Sequence, residues 1–518
     1  MKPILCLSIC AATLAAQGLT QSSLNHPSPD TWPSYNGDYS GRRYSTLNQI
    51  NTSNVKSLTP AWIFQTHSQG IKSTPLLVDG ILYFTVPDNV WAVDARTGRQ
   101  VWHYRRTSVG GDKIGHRGLG MYGDWLYFIT PEAHLISLNA KDGTVRWEVE
   151  LADYKLGYFA TVAPLVIGNH VIAGVSGDVT DIPGFLESLD PETGKMQWRW
   201  YTQPKKGEPG SETWPADTDA IEHGGGMTWI TGTYDPELNL LYWGTGNPNP
   251  VLAGDGRPGD NLFTCTIAAL NPDTGKLVWY FQPSPHDVHD WDAVQTPVLF
   301  DAEFQGAKRK LLAQASRNGY FFVLDRTTGK NLLTAPFIES NWASGVDQIG
   351  RPIARTEKYP TPDGALVEPA SDGATNWMAP SFDPDTGLFY VSARRLFSMF
   401  YKTATGKPEG WGGRDRNLWA NSVLQAIDYK TGKIRWSHEL GDGEDVAGLL
   451  TTAGGLLFTA DNSNNLLALD AATGKTLWHV NAGSEMESSP MTYELGGRQY
   501  VFTAVGDLVF AWSLPEKH

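Results

Sequence analysis

Ala92-Val-Asp-Ala-Arg-Thr-Gly-Arg-Gln-Val-Trp102 is one copy of a phrase that recurs along the chain: a small or apolar residue, an apolar residue, Asp or Asn, then Gly, then Trp. It returns ending at Trp147, Trp198, Trp279, Trp436 and Trp478, and a variant around Asp325-Arg-Thr-Thr-Gly329 lacks the tryptophan. Its Asp/Asn positions (Asp94, Asn139, Asp190, Asn271, Asp325, Asp428 and Asp470) set a base period of about 45 residues, in the range of propeller blades. The physics of the phrase is a β-hairpin, turned by Asp and Gly, with the Trp ring buried between neighbouring units. A second hairpin signal precedes several copies, as in Leu77-Val-Asp-Gly-Ile-Leu-Tyr83 and Met121-Tyr-Gly-Asp-Trp-Leu-Tyr127. Two hairpins per period give one four-stranded antiparallel blade. Seven copies, plus one blade closed by Gln499 to Trp512 and an N-terminal strand, predict an all-β, eight-bladed β-propeller without an exposed sheet edge. The long gaps of 81 and 103 residues between copies place insertions at 204–226, 336–375 and 396–420.

Composition agrees. The chain has 518 residues, 54 Gly, 32 Pro and 20 Trp, with 41% hydrophobic residues, a turn-rich and aromatic-rich balance typical of all-β chains. Its formal charge of −14 argues against nucleic acid and anionic lipid as partners.

Met1-Lys2 followed by the apolar stretch Ile4 to Ala16 reads as a secretory signal, with Ala16-Gln17-Gly18 as a cleavage site. The stretch is too short to span a hydrocarbon core of ~30 Å. Leu7-Ser8-Ile9-Cys10 departs from a lipoprotein box at the bulky Ile9. The expected organisation is therefore a signal peptide over 1–18 and a single propeller domain over 19–518, exported to the periplasm or beyond. Removing the leader also removes Lys2, taking the charge from −14 to −15, and leaves Cys265 as the one thiol, so no intrachain disulfide is expected. No Cys-x-x-Cys-His occurs, which excludes a covalently attached c-type haem in this chain.

Trp32-Pro-Ser-Tyr-Asn-Gly-Asp-Tyr-Ser-Gly-Arg-Arg-Tyr-Ser45 and the segments around Trp229, Asn247 and Asp292 resemble the pyrroloquinoline-quinone (PQQ) dependent alcohol dehydrogenases, over nearly all of the chain from Trp32 onward. The resemblance implies PQQ in the central funnel beside a calcium ion. Gly225-Gly226-Met-Thr-Trp229 matches the strand whose tryptophan stacks under the quinone, and flat stacking suits a planar tricyclic cofactor. Gly244-Thr-Gly-Asn-Pro248 matches the string whose Asn, here Asn247, gives the metal an amide oxygen; an Asn-Pro turn would also explain it. Read without any family, His286-Asp-Val-His-Asp-Trp-Asp292 is compatible with a transition-metal site or a solvated loop. The resemblance makes Asp292 the catalytic base and a metal ligand, and makes Arg317 in Ser316-Arg-Asn-Gly-Tyr320 the cation facing the reactive oxygens. Arg117, Thr161, Ser176, Gly177 and Asn376 match further contacts to the carboxylates and carbonyls of PQQ.

The chain also departs from that pattern. Gly111-Asp112 stands where many relatives have a vicinal disulfide over the other face of PQQ. Lys72 replaces a glutamate, Val446 a tryptophan and Met227 a threonine. Val179 falls on the metal-binding glutamate, with Asp178 and Asp181 as the nearest carboxylates. Lanthanide-using relatives carry an extra aspartate two residues after the base; counted from Asp292, that position is Val294. Two functions from different classes follow. One is a periplasmic PQQ-dependent dehydrogenase of an alcohol or aldose, passing electrons to a separate acceptor such as cytochrome c or a membrane quinone. The other is a non-enzymatic propeller scaffold for protein partners. The joint presence of Trp229, Asn247, Asp292 and Arg317 favours the enzyme.

Overall fold

The computed structural model describes residues 18–177, 179–403 and 410–516. The expected leader falls almost wholly on residues 1–17, outside the described residues, and so does Asp178. The repeat folds as the phrase predicts. Leu76–Val78, Ile81–Val86, Asn89–Asp94 and Gln100–Arg105 form the first four-stranded antiparallel sheet, and seven more sheets follow in chain order. The eighth is built from Met491–Leu495, Arg498–Val505 and Leu508–Ser513, and is completed by the N-terminal strand Thr59–Gln65 paired with Leu508–Ser513. Both ends of the chain thus share one blade, and the ring is closed by a backbone ladder.

What joins one blade to the next is the phrase itself. Asp94 Oδ1 accepts the backbone N–H groups of Arg96 and Thr97, and Gly98 follows at φ +72°, where a side chain is disfavoured. The bare face of that glycine receives a tryptophan from the preceding blade. A Cβ on Gly98 would meet Trp62, one on Gly143 would meet Trp102, and Gly194, Gly275 and Gly474 lie likewise on Trp147, Trp198 and Trp436. Each indole N–H then reaches a carbonyl beside the same turn: Trp62 to Ala95, Trp102 to Ala140, Trp198 to Pro272, Trp279 to Arg326 and Trp436 to Ala471. Trp147 is the exception, because Tyr127 and Arg146 occupy the Pro191 carbonyl. The copy without a tryptophan also makes sense: Gly432 of the following blade packs on Ala335.

The insertions lie where the long gaps placed them. Residues 204–226 carry two short 3₁₀ turns, 336–375 carry the ribbon Ala343–Val346 with Pro352–Ala354, and the described part of 396–420 belongs mostly to the long hairpin of Leu388–Lys402 and Gly413–Asp428.

Residues 32–45 run across the ring axis and bond to the innermost strand of blade after blade. Trp32 exchanges backbone bonds with Leu77; the carbonyls of Tyr39, Ser40, Arg42 and Arg43 accept from Tyr234, Leu299, Phe382 and Thr451. The Tyr39 hydroxyl donates to the Val166 carbonyl. Arg43, 1% exposed, donates to the carbonyls of Tyr35, Leu449 and Pro490, and burial lowers its pKa to about 10. The segment is a plug across the channel.

The indole-on-glycine contact can be isolated experimentally. Gly275→Ala places a Cβ at φ +67° and 2.6 Å from Trp198, whereas Gly80→Ala, at φ +76°, meets nothing within 4 Å. We expect Gly275→Ala to cost about 2–4 kcal/mol and Gly80→Ala about 1 kcal/mol, measured by urea denaturation. Equal costs would mean that the backbone angle alone selects glycine.

Candidate active site

In each blade the chain climbs to one end of the ring just before its innermost strand begins. Lys72, Arg117, Thr161, Trp229, Asp290 and Asn376 all occupy such positions, a few residues before Leu76–Val78, Gly120–Tyr122, Leu165–Ile167, Thr233–Asp235, Val298–Phe304 and Ser381–Asp383 respectively. Ser176 and Arg317 come from the hairpins at the same end of their blades. Ring closure brings all eight around one cavity of about 290 Å³, which Ile114, Gly115, Asp372 and Trp377 complete.

The deep wall is polar and buried. The Arg117 side chain donates to the Thr161 hydroxyl, and its guanidinium carbon lies 4.8 Å from the Trp229 ring centre and 5.7 Å from that of Trp377. Lys72 pairs with Glu487 at 2.9 Å and lies 5.5 Å over Trp377. Ser176 Oγ and Asn376 Oδ1 are buried with no hydrogen-bond partner in the protein. Two such polar atoms facing one cavity are costly to the empty fold and suit a polar ligand. Lys72, Arg117 and Arg317 stand in this wall with Asp290 and Asp372, so cations outnumber carboxylates there in a chain of charge −14.

The acidic loop is held by one carboxylate. Asp287 Oδ2 accepts the backbone N–H groups of His289, Asp290 and Trp291, at 3.3, 2.9 and 3.2 Å. Buried Arg257 donates to the Asp287 carbonyl, and burial pushes the Asp287 carboxyl up to about 6 against the pull of Arg257. Asp290 is left-handed, φ +71°, and Trp291 turns into the core against Trp342 with its N–H on the Ala370 carbonyl. Asp290 and Asp292 therefore share the other face, and Arg317 bridges them, Nη2 to Asp290 at 3.0 Å and Nη1 to Asp292 at 3.3 Å. Arg317 also donates to the Ser371 carbonyl, while Gly373, at φ +78°, lets that loop lie against its Cβ.

Of the residues expected from the sequence, Arg117, Thr161, Ser176, Trp229, Arg317 and Asn376 line the cavity. Gly177 lies against Ile182 and Met227 rather than in the wall. Asn247 and Asp292, each 1% exposed, lie behind it. Asp292 Oδ2 accepts the Trp229 indole N–H at 2.7 Å, and Oδ1 accepts the Asn247 backbone N–H at 2.8 Å. The carboxylates in the wall are Asp290, which Arg317 holds, and Asp372; Asp292, expected to meet a substrate, is not among the lining residues. Burial pushes the Asp292 carboxyl above its ordinary value, with Arg317, Trp229 and Asn247 opposing. Val179 packs against the apolar cluster of Val251 and Leu252, and Asp181 turns to His223 at 3.0 Å. Among the described residues no three His, Cys, Asp or Glu side chains gather as a metal site.

A family model for the PQQ glucose/ethanol/alcohol dehydrogenase β-propeller domain matches residues 32–363 and 422–501. The chain belongs to the PQQ-dependent alcohol dehydrogenases. Among curated relatives of this dehydrogenase family, the quinoprotein alcohol dehydrogenase PedH of Pseudomonas putida is 37% identical over 90% of this chain and 84% of its own. The crystal structure of the quinohemoprotein alcohol dehydrogenase from Comamonas testosteroni superposes with a TM-score of 0.90 at 32% identity, covering 96% of this chain and 82% of that one. A europium-containing methanol dehydrogenase gives 0.85 at 30% identity, covering 95% and 100%. The enzyme class is therefore an oxidoreductase acting on CH–OH donors.

Arg317→Ala leaves Asp292 buried without its bridging cation. A carboxyl raised by burial favours the folded state when protonated, and that contribution is lost as pH rises through its folded-state value. The variant should lose about 3–5 kcal/mol at alkaline pH and less near pH ~5, read by urea denaturation of cofactor-free protein. A loss independent of pH would mean that Asp292 does not titrate.

Proposed function

We propose that this chain is a periplasmic alcohol dehydrogenase that holds PQQ in the cavity above Trp229, with Asp290 as the catalytic base. The observation that carries this reading is the single cavity where a stacking tryptophan, three cations, two unpartnered buried polar atoms and one Arg317-held carboxylate meet. The residues fit the quinone. Trp229 gives its rings a floor; Lys72 and Arg117 suit its carboxylates; Ser176 and Asn376 gain the partners they lack. When bound, PQQ supplies the two-electron acceptor for hydride from the alcohol carbon. The protein's own part is to take the hydroxyl proton at an Asp290 carboxylate oxygen, since Asp290 reaches the cavity and is held there by Arg317 at 3.0 Å. Arg317, fixed by Asp290, Asp292 and the Ser371 carbonyl, keeps a positive charge where oxyanion character develops. Asp292 orients the floor through the Trp229 N–H.

A metal fits less completely. Asn247, Asp290 and Asp292 are the oxygen donors at hand, and Val179 contributes none. With Asp290 as the base, however, the position two residues on is Asp292, the aspartate that lanthanide-using relatives carry, and this supports a lanthanide over calcium. The substrate in this reading is a small alcohol, and the electrons leave to a separate cytochrome c or membrane quinone.

Three outcomes test it. PQQ should raise the melting temperature of purified apo-protein; a flat titration in the presence of Ca²⁺ and of Eu³⁺ would return the chain to the scaffold reading. Asp290→Asn should keep PQQ binding and lower turnover by roughly 10² or more, with a smaller loss for Asp292→Asn; the reverse order would restore Asp292 as the base. In the presence of PQQ, Eu³⁺ should stabilise the protein at lower concentration than Ca²⁺, and Asp292→Ala should remove that advantage.

A further inference from the structure

The cavity has one apolar side chain that is open to solvent. Arg117, Thr161, Ser176, Arg317 and Asn376 are each less than a tenth exposed, whereas Ile114 is 60% exposed while still lining the same cavity. A residue that belongs both to a cavity wall and to the surface stands at the lip. Trp377, a second half-buried tryptophan in the wall, has Lys72 and Arg117 5.5 and 5.7 Å from its ring centre, and Arg117 also lies 4.8 Å from that of Trp229.

The lip is held in place at both ends. A Cβ on Gly111, at φ +74°, would lie 2.1 Å from the Pro131 carbonyl oxygen, and one on Gly115 would lie 2.5 Å from Lys72 Cδ. Between them Lys113 pairs with Asp88 at 2.6 Å, and just before them the Val109 N–H donates to Glu132 at 2.9 Å. His116, fully buried, is fixed on either side by the Thr85 hydroxyl and the Ile129 carbonyl, both at 2.7 Å. The exposure of Ile114 is therefore a defined position of the backbone, a few residues past the site where relatives have a disulfide covering the cofactor and this chain has Gly111-Asp112.

We infer that Ile114 is a cofactor-retaining contact: its aliphatic side chain covers the outward face of the planar quinone and takes over, in this chain, the covering role of the absent disulfide. The inference rests on the reading of the cavity as a PQQ site. A flat ligand on Trp229 leaves one face toward the mouth, and shielding that face from water with an alkyl group slows its escape. The contact is non-covalent and adjusts with side-chain size, so retention depends on the volume of residue 114.

The test uses the full chain and PQQ itself, following quenching of tryptophan fluorescence on binding and its recovery on dilution. Ile114→Ala should release PQQ about tenfold faster than wild type, with Ile114→Leu close to wild type. Val109→Ala, which alters an 80% exposed side chain outside the wall, should release at the wild-type rate. The melting temperature of each cofactor-free variant should be unchanged, because the side chain is exposed. Wild-type release rates in Ile114→Ala would overturn the inference and leave the PQQ site standing. Equal acceleration in Val109→Ala would also overturn it, by making the whole loop rather than residue 114 responsible. Wild-type protein that shows no quenching at all would overturn both.

Discussion

The indole laid on a bare glycine is the contact on which the ring depends. It couples a turn in one blade to the last strand of the blade before it, and it works only if the glycine has no Cβ and the indole N–H finds the carbonyl beside the turn. Because the contact repeats, the blades are held at fixed angles around the axis, and the starts of all innermost strands are forced to one end. The site is a by-product of that geometry. Lys72 and Asn376 are some three hundred positions apart in the sequence, yet they face one cavity.

The electrostatics of the cavity run against those of the chain. A protein of charge −14 concentrates Lys72, Arg117 and Arg317 in a single wall, with Glu487 paired to the first and Asp290 and Asp292 to the last. The Asp290–Arg317–Asp292 bridge divides its work by depth. The shallower carboxylate is open to whatever enters, and the deeper one is committed to the Trp229 and Asn247 N–H groups. Burial that raises the deeper carboxyl also makes its ionised form dependent on Arg317, so floor and cation are tied together.

Much of this was legible in the residues. The phrase exposes the blades because period, turn chemistry and docking surface are all written in the same eleven positions, and the missing tryptophan near Asp325 marked an interface packed differently, as is that of Trp478, which meets Trp512 rather than a glycine. Arg117, Thr161, Ser176, Trp229, Arg317 and Asn376 were recognisable because their short strings match those of the family the chain resembles. The choice between Asp290 and Asp292 was not. It depends on a left-handed Asp290 and on three N–H groups gathered by Asp287, which no spacing of acidic residues reveals. Ile114 and Asp372 carry no motif at all; only the closing of the ring brings them to the cavity. The role of residues 32–45 was hidden for another reason: their partners are backbone groups of six blades, and backbone partners leave no side-chain signature.

That crossing segment bonds to the innermost strands several residues beyond the cavity wall, as at Tyr234 after Trp229 and Phe382 after Asn376. The crossing segment and the cavity thus occupy successive levels of the same ring of innermost strands. The far end of the ring is pinned by a buried arginine, Arg43, whose three carbonyl partners come from its own segment and from the two blades on either side of the last turn of the ring.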